Sequence, residues 1–159
     1  MDALAFLQLE GHHLDRRDWD AWLALYDEDA VYWVPAWKDE DTPGDDPDAE
    51  VSLIYHQGRA ALEDRVWRIR SQRSVASIPL MRTAHMIGNV IARPGADGAL
   101  LVDASWTCHT YDPKRRKQHV FFGRYEIELR WHADGWKFAR KKVLLQNDYI
   151  PTMIDFYCL

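Results

Sequence analysis

The chain has 159 residues, of which 47% are hydrophobic and 28% charged, with 8 Trp, 7 Tyr and 5 Phe; that is ample for one core and excludes intrinsic disorder. Twenty Lys and Arg against 25 Asp and Glu leave a net charge of −5, which excludes the basic footprint of a nucleic-acid wrapper. Two cysteines, Cys108 and Cys158, are too few for a disulfide framework or a four-thiolate cluster. The N-terminus lacks a basic region followed by an apolar run, and no stretch nears about 18 uninterrupted apolar residues. The expectation is a single domain, residues 1–159, soluble and cytoplasmic.

Ala3, Phe6, Leu7 and Leu14 recur at helical spacing, as do Trp19, Trp22, Leu23 and Tyr26 after the charged break at Asp15-Arg16-Arg17. Two short amphipathic helices are predicted, the second capped by Asp18. Ala30 to Val34 is β-branched and aromatic and closes at Pro35, which reads as a strand. Residues 38–50 hold seven acidic groups against one lysine, with two prolines and a glycine. This solvated loop accounts for the acidity of the whole chain. Over residues 59–72, Leu62, Val66 and Ile69 mark a third helix, and Asp64 precedes Arg68 by one turn. Its other face carries Arg65, Arg68 and Arg70, with Arg73 just beyond.

The second half changes period. Strands are predicted over 83–92 and 99–111, on either side of a turn-rich segment, Arg93 to Gly98. Tyr125, Ile127, Leu129 and Trp131 then alternate with Glu126, Glu128, Arg130 and His132, and Asp134-Gly135 turns the chain into Trp136, Phe138 and Val143. Helices followed by long antiparallel strands make the fold class α+β.

Most chemical motifs dissolve on inspection. His12 and His13 point about 100° apart on a helix and cannot chelate one ion. Asp39, Asp41, Gly44, Asp45 and Glu50 fall on the offsets of a calcium loop, but Pro43 stands where a ligand belongs and a strand precedes it. Cys108 and His109 are strand neighbours and face opposite sides of a sheet. The basic runs Lys114 to Lys117 and Lys137, Arg140, Lys141, Lys142 read as a solvated hairpin tip and a lysine-protected strand edge. Tyr149, Ile150, Met153, Ile154, Phe156, Tyr157 and Leu159 crowd the end of the chain, so they must be covered by the domain's own sheet or by a partner.

The segment from Asp18 to Tyr26, Tyr32 to Trp37 running into the acidic loop, Ser52 to Tyr55, Leu62 to Val66, Leu145 to Ile150 and Ile154 to Tyr157 together resemble the small (beta) subunit of aromatic-ring-hydroxylating dioxygenases, in the branch acting on benzoate, anthranilate and halobenzoates. His56-Gln57-Gly58 and Cys158 depart from that branch's usual residues. The resemblance implies a cone: N-terminal helices packed on a strongly curved antiparallel sheet, as in nuclear transport factor 2 and scytalone dehydratase. It implies a non-catalytic, structural role beside a large (alpha) subunit that carries a Rieske iron–sulfur cluster and a mononuclear iron, in a three-plus-three heterohexamer with contacts between small subunits. No catalytic, cofactor-binding or metal residue is then expected in this chain, since neither iron centre's ligand set is present. Trp33, Arg65, Arg68, Tyr149, Ile154 and Tyr157 are the expected interface residues. The competing expectation is a cofactor-free isomerase or dehydratase of the same fold, with His85, Asp103, His109 and Tyr125 as acid–base groups.

Overall fold

Helix α1 (Ala3–Arg16) starts where the Asp2 carboxylate accepts the Ala5 amide at 2.8 Å, in a computed structural model that describes residues 1–72 and 79–159. Arg73 lies outside the described residues. The helix stops at Arg17, which takes φ 60°, while the Asp18 amide reaches back to the His13 carbonyl at 2.9 Å. Helix α2 (Trp19–Leu23) follows at once; Asp18 occupies its N-cap position, but its side chain makes no capping bond.

Tyr26 does not continue that helix. The Phe138 amide already donates to the Leu25 carbonyl, so the chain has joined the sheet, and Tyr26 opens β1 (Tyr26–Pro35), four residues earlier than the β-branched run predicts. The acidic loop closes on β2 (Ser52–Gln57), which pairs antiparallel with β1. Gly58, at φ 83°, makes the left-handed turn into α3 (Arg59–Arg70). Four long strands complete the sheet: β3 (Arg82–Pro94), β4 (Leu100–Asp112), β5 (Lys117–His132) and β6 (Gly135–Leu145).

The six strands run in the order β2-β1-β6-β5-β4-β3. All neighbours are antiparallel except β1 and β6, which pair in parallel. This corrects the reading of Lys137, Arg140, Lys141 and Lys142 as an exposed strand edge: β6 is an interior strand, and Lys141 is 0% exposed. A run of cations looked like an edge because the sequence records charge but not which strand lies alongside.

Alternation puts Val102, Ala104, Trp106 and Cys108 of β4 and Phe121, Tyr125, Ile127 and Leu129 of β5 on the inner face. Trp131 breaks the pattern; at 60% exposed it sits on the β5–β6 hairpin, edge-on to Trp136 with centroids 5.0 Å apart. The two strands approach so closely at Gly123 that an added Cβ would lie 1.8 Å from the Leu144 carbonyl oxygen. Phe6, Leu7 and Leu14 of α1, Trp22 of α2 and Leu62, Val66 and Ile69 of α3 fill the inner face.

The chain's end completes this core. Phe156, Tyr157, Cys158 and Leu159 form a buried 3₁₀ turn and tail, with Phe156 stacked on Trp22 at 4.4 Å. The domain's own interior therefore covers Phe156, Tyr157 and Leu159, whereas Tyr149 stays exposed.

Candidate subunit interface

One side of the molecule gathers β2, α3 and the C-terminal segment around an open cleft of about 410 Å³. Leu53, Ile54, Tyr55 and His56 line it from β2, and Ala61, Asp64, Arg65 and Arg68 from α3; Ile154 and Asp155 close it. The α3 residues recur every three or four positions and so share one stripe, while Leu62, Val66 and Ile69 take the opposite, buried stripe. Arg65 donates to Asp155 through Nε at 2.9 Å and Nη2 at 2.5 Å, a bidentate pair across 90 residues of sequence. Asp155 is itself buried, and it also accepts the Phe156 amide at 2.8 Å, capping the terminal turn. The hydrogen bond to Asp155 raises the Arg65 guanidinium above its ordinary value against the cost of burial.

Arg68 stands at the outer lip, 3.2 Å from Asp64, the predicted one-turn pair. Arg70 turns away to meet Asp20 of α2 at 3.0 Å. The His56 imidazole is pushed below its ordinary value by burial, with Asp155 pulling it up and Arg65 pushing it further down.

The six residues expected at an interface do not form one patch. Arg65, Arg68 and Ile154 meet at the cleft. Tyr157 lies beneath it in the core. Trp33 is buried, its indole N–H held by Ser52 at 2.8 Å and its ring covered by Arg140 and Lys142. Tyr149 is 72% exposed and packs near His119, away from the cleft lining.

The acid–base group of the competing expectation is split by the sheet. Asp103 and His109 do share a face, but it is the outer one, where Asp103 pairs with Arg93. Tyr125 and His85 occupy the inner face. Asp15 orients His85, with Oδ1 at 2.6 Å from Nδ1 and Oδ2 accepting the His85 amide. Burial raises the Asp15 carboxyl, and hydrogen bonds from His85 and Thr83 more than offset this, leaving it below the usual range.

Sequence reasoning also missed a second buried constellation. Glu10 receives both Nζ contacts from Lys141, at 2.9 and 2.8 Å, together with the Tyr26 hydroxyl at 2.6 Å and the Trp22 indole at 3.3 Å. Glu10 and Lys141 are 131 residues apart. No local pattern joins them; the available signal was a lone Glu on the apolar stripe of α1.

The loop carboxylates serve their own backbone. Asp39 accepts the Asp41 and Thr42 amides, Glu50 accepts those of Asp45 and Asp46, and Lys38 sits between Asp45 and Glu50. Cys108 and Cys158 are both buried and their thiols are pushed up by burial, Cys158 to about 12. Among the described residues no group of three or more His, Cys, Asp or Glu is placed to hold a metal ion. The two thiols and scattered imidazoles therefore do not fit a Rieske cluster.

Helices closed inside a six-stranded curved sheet, with the C-terminus as a plug, define a cone-shaped α+β fold. A protein described as a scytalone dehydratase, from Novosphingobium aromaticivorans, shares it with a TM-score of 0.68 at 16% identity, over 96% of this chain and 89% of that one. The crystal structure of the beta subunit of benzoate 1,2-dioxygenase from Burkholderia mallei matches with a TM-score of 0.80 and 37% identity, covering 98% of this chain and 93% of that one. The 2-halobenzoate 1,2-dioxygenase small subunit of Burkholderia cepacia is 42% identical over 157 residues, 99% of this chain and 94% of that protein. The toluate 1,2-dioxygenase beta subunit of Pseudomonas putida is 40% identical over 96% of this chain and 93% of its own length. Residues 10–152 match the model of the ring-hydroxylating beta subunit family, and the chain belongs to that family.

Proposed function

We propose that this chain is the small subunit of a dioxygenase that dihydroxylates a benzoate-like aromatic acid, and that it supports a large catalytic subunit without contributing reacting groups. The observation that carries this reading is end-to-end similarity to small subunits of halobenzoate, toluate and benzoate dioxygenases. In this reading the Rieske cluster and mononuclear iron belong to the large subunit, three copies of each chain assemble, and the complex works in the cytoplasm. Among the described residues no helix is long and apolar enough to cross a membrane.

The cleft between β2 and α3 is the docking surface for the large subunit. Arg68 and Ile154 would touch the partner directly, while Arg65 and Tyr157 hold the surface from beneath; Trp33, under Arg140 and Lys142, would brace β2 through Ser52. Tyr149 would serve a separate contact between small subunits, because it projects from another side of the cone. Such an interface supplies an apolar anchor in Ile154 and a cationic lip in Arg68, arginine being among the residues enriched at binding hot spots.

The test is co-expression with a tagged Rieske-type large subunit from the same gene neighbourhood, followed by affinity capture and mass measurement. The expected result is an equimolar complex for the wild type, and loss of capture for Arg68→Glu and for Ile154→Asp, each with an unchanged circular dichroism spectrum. A wild-type chain that co-purifies with no such subunit overturns the assignment. Capture of both variants at wild-type yield removes the cleft as the docking surface.

A further inference from the structure

The mouth of the cone holds a second concavity, independent of the docking cleft. It forms where β4 ends and β5 begins, between Met81 ahead of β3, Thr110 and Phe121 on the inner face, and a strap of residues 151–153. Its cavity measures about 90 Å³, and Met81, Phe121, Pro151 and Met153 are the apolar residues among those that line it. An engineered apolar cavity of about 150 Å³ holds a whole benzene. The smaller space here shelters part of a ring or a branched alkyl group, leaving the rest at the rim.

The rim is cationic. Arg115 is taken up by Asp112 at 2.9 Å, but Lys117 has no ion-pair partner among the described residues. In the wall, His119 packs edge-on to Phe121 at 4.6 Å, and its Nε2, shielded from solvent, has no hydrogen-bond partner among the described residues. A buried donor or acceptor left this way is destabilising until a ligand oxygen or a water completes it. The Thr110 hydroxyl is already committed to the His119 carbonyl at 3.0 Å, which fixes that wall.

We infer that the cone's mouth is a binding site for a small carboxylic acid with a compact apolar body, its ring or alkyl group held between Met81, Phe121 and Met153 and its carboxylate facing Lys117. The basic run at the β4–β5 turn then has a role beyond solvation: it draws an anion to an apolar slot. One exposed ion pair and a part-buried ring give a weak site, with a dissociation constant of about 0.1–10 mM.

The experiment is an NMR titration of the full-length chain, labelled at its methionine methyls, with benzoate and with its uncharged counterpart benzamide. Saturable shifts of the Met81 and Met153 methyls with benzoate are expected, with benzamide about five- to tenfold weaker. Lys117→Ala should bring benzoate down to the benzamide affinity, and Thr152→Trp, which fills the slot from the exposed strap, should remove both. Absence of any saturable shift at those methyls up to about 100 mM benzoate, ten times the weakest expected dissociation constant, overturns the site. Unchanged benzoate affinity in Lys117→Ala overturns the carboxylate assignment. Neither result bears on capture of the large subunit, so this site and the docking cleft stand or fall separately.

Discussion

Lys141 places an ammonium in the middle of the core, between the Glu10 carboxylate and the Tyr125 ring, whose centroid lies 4.2 Å away. Burial lowers its affinity for a proton and Glu10 opposes that shift. Removing one partner leaves the other charge stranded, so Lys141→Ala should cost about 3–5 kcal/mol in urea denaturation, whereas Lys141→Met combined with Glu10→Gln should recover most of the loss. A double variant no more stable than the single one would show that the pair is not the origin of the effect. Tyr26 stays protonated, because burial and then the Glu10 charge push its hydroxyl well up, and so it donates into the same carboxylate.

Two part-buried residues contribute to the acid limb of stability. Burial holds the His56 imidazole below its ordinary 6.5, so the unfolded chain takes up that proton more readily. Stability should therefore fall as pH drops through 6.5 towards the folded value. Asp15 is lowered in the fold, so its contribution is present above 3.8 and is lost as pH falls through its folded value. Urea midpoints measured between about pH 7 and pH 3 should decline in these two windows, with His56→Gln flattening the upper and Asp15→Asn the lower. A His56→Gln profile parallel to wild type would contradict the first assignment.

At the level of elements, the terminal turn and the Gly123 crossing carry the architecture. Phe156 is fully buried against Trp22, and Phe156→Ala should cost about 3–5 kcal/mol through lost contact and the cavity left behind, measured by the same denaturation. Arg65→Glu sets a carboxylate against the buried Asp155, so it should detach the terminal turn and lower the melting temperature. It is for this reason a test of folding and not of docking. Gly123→Ala forces β5 and β6 apart at the Leu144 carbonyl. A loss of about 3 kcal/mol or more, seen as a melting point lower by roughly 6–12 °C, is expected, and a neutral substitution would mean the strands can separate there without penalty.

For the molecule as a whole, the inner face is filled by its own helices and C-terminus, with the Glu10–Lys141 and Asp15–His85 pairs enclosed in it. The isolated chain, supplied with oxygen, reductant and benzoate, should give no diol product above background by chromatography. Adding the large subunit should restore turnover. Product formed by the isolated chain would overturn the supporting role.

Much of this was legible in the sequence. The amphipathic spacing in α1 and α3 and the alternation in β5 are local, because side-chain periodicity follows from backbone geometry. Turn chemistry at Asp134-Gly135 is local for the same reason, and the motifs from Asp18 to Tyr157 were enough to point to the family. What only the tertiary structure decided is partnership across distance: β6 lying parallel to β1 and so burying Lys141, Glu10 found 131 residues before it, and Asp155 reached by Arg65 across 90. Charges and aromatics announce their type in a sequence, but whether they meet water, a partner subunit or one another is set by which strands become neighbours. That is a property of the assembled sheet as a whole and not of any segment in it.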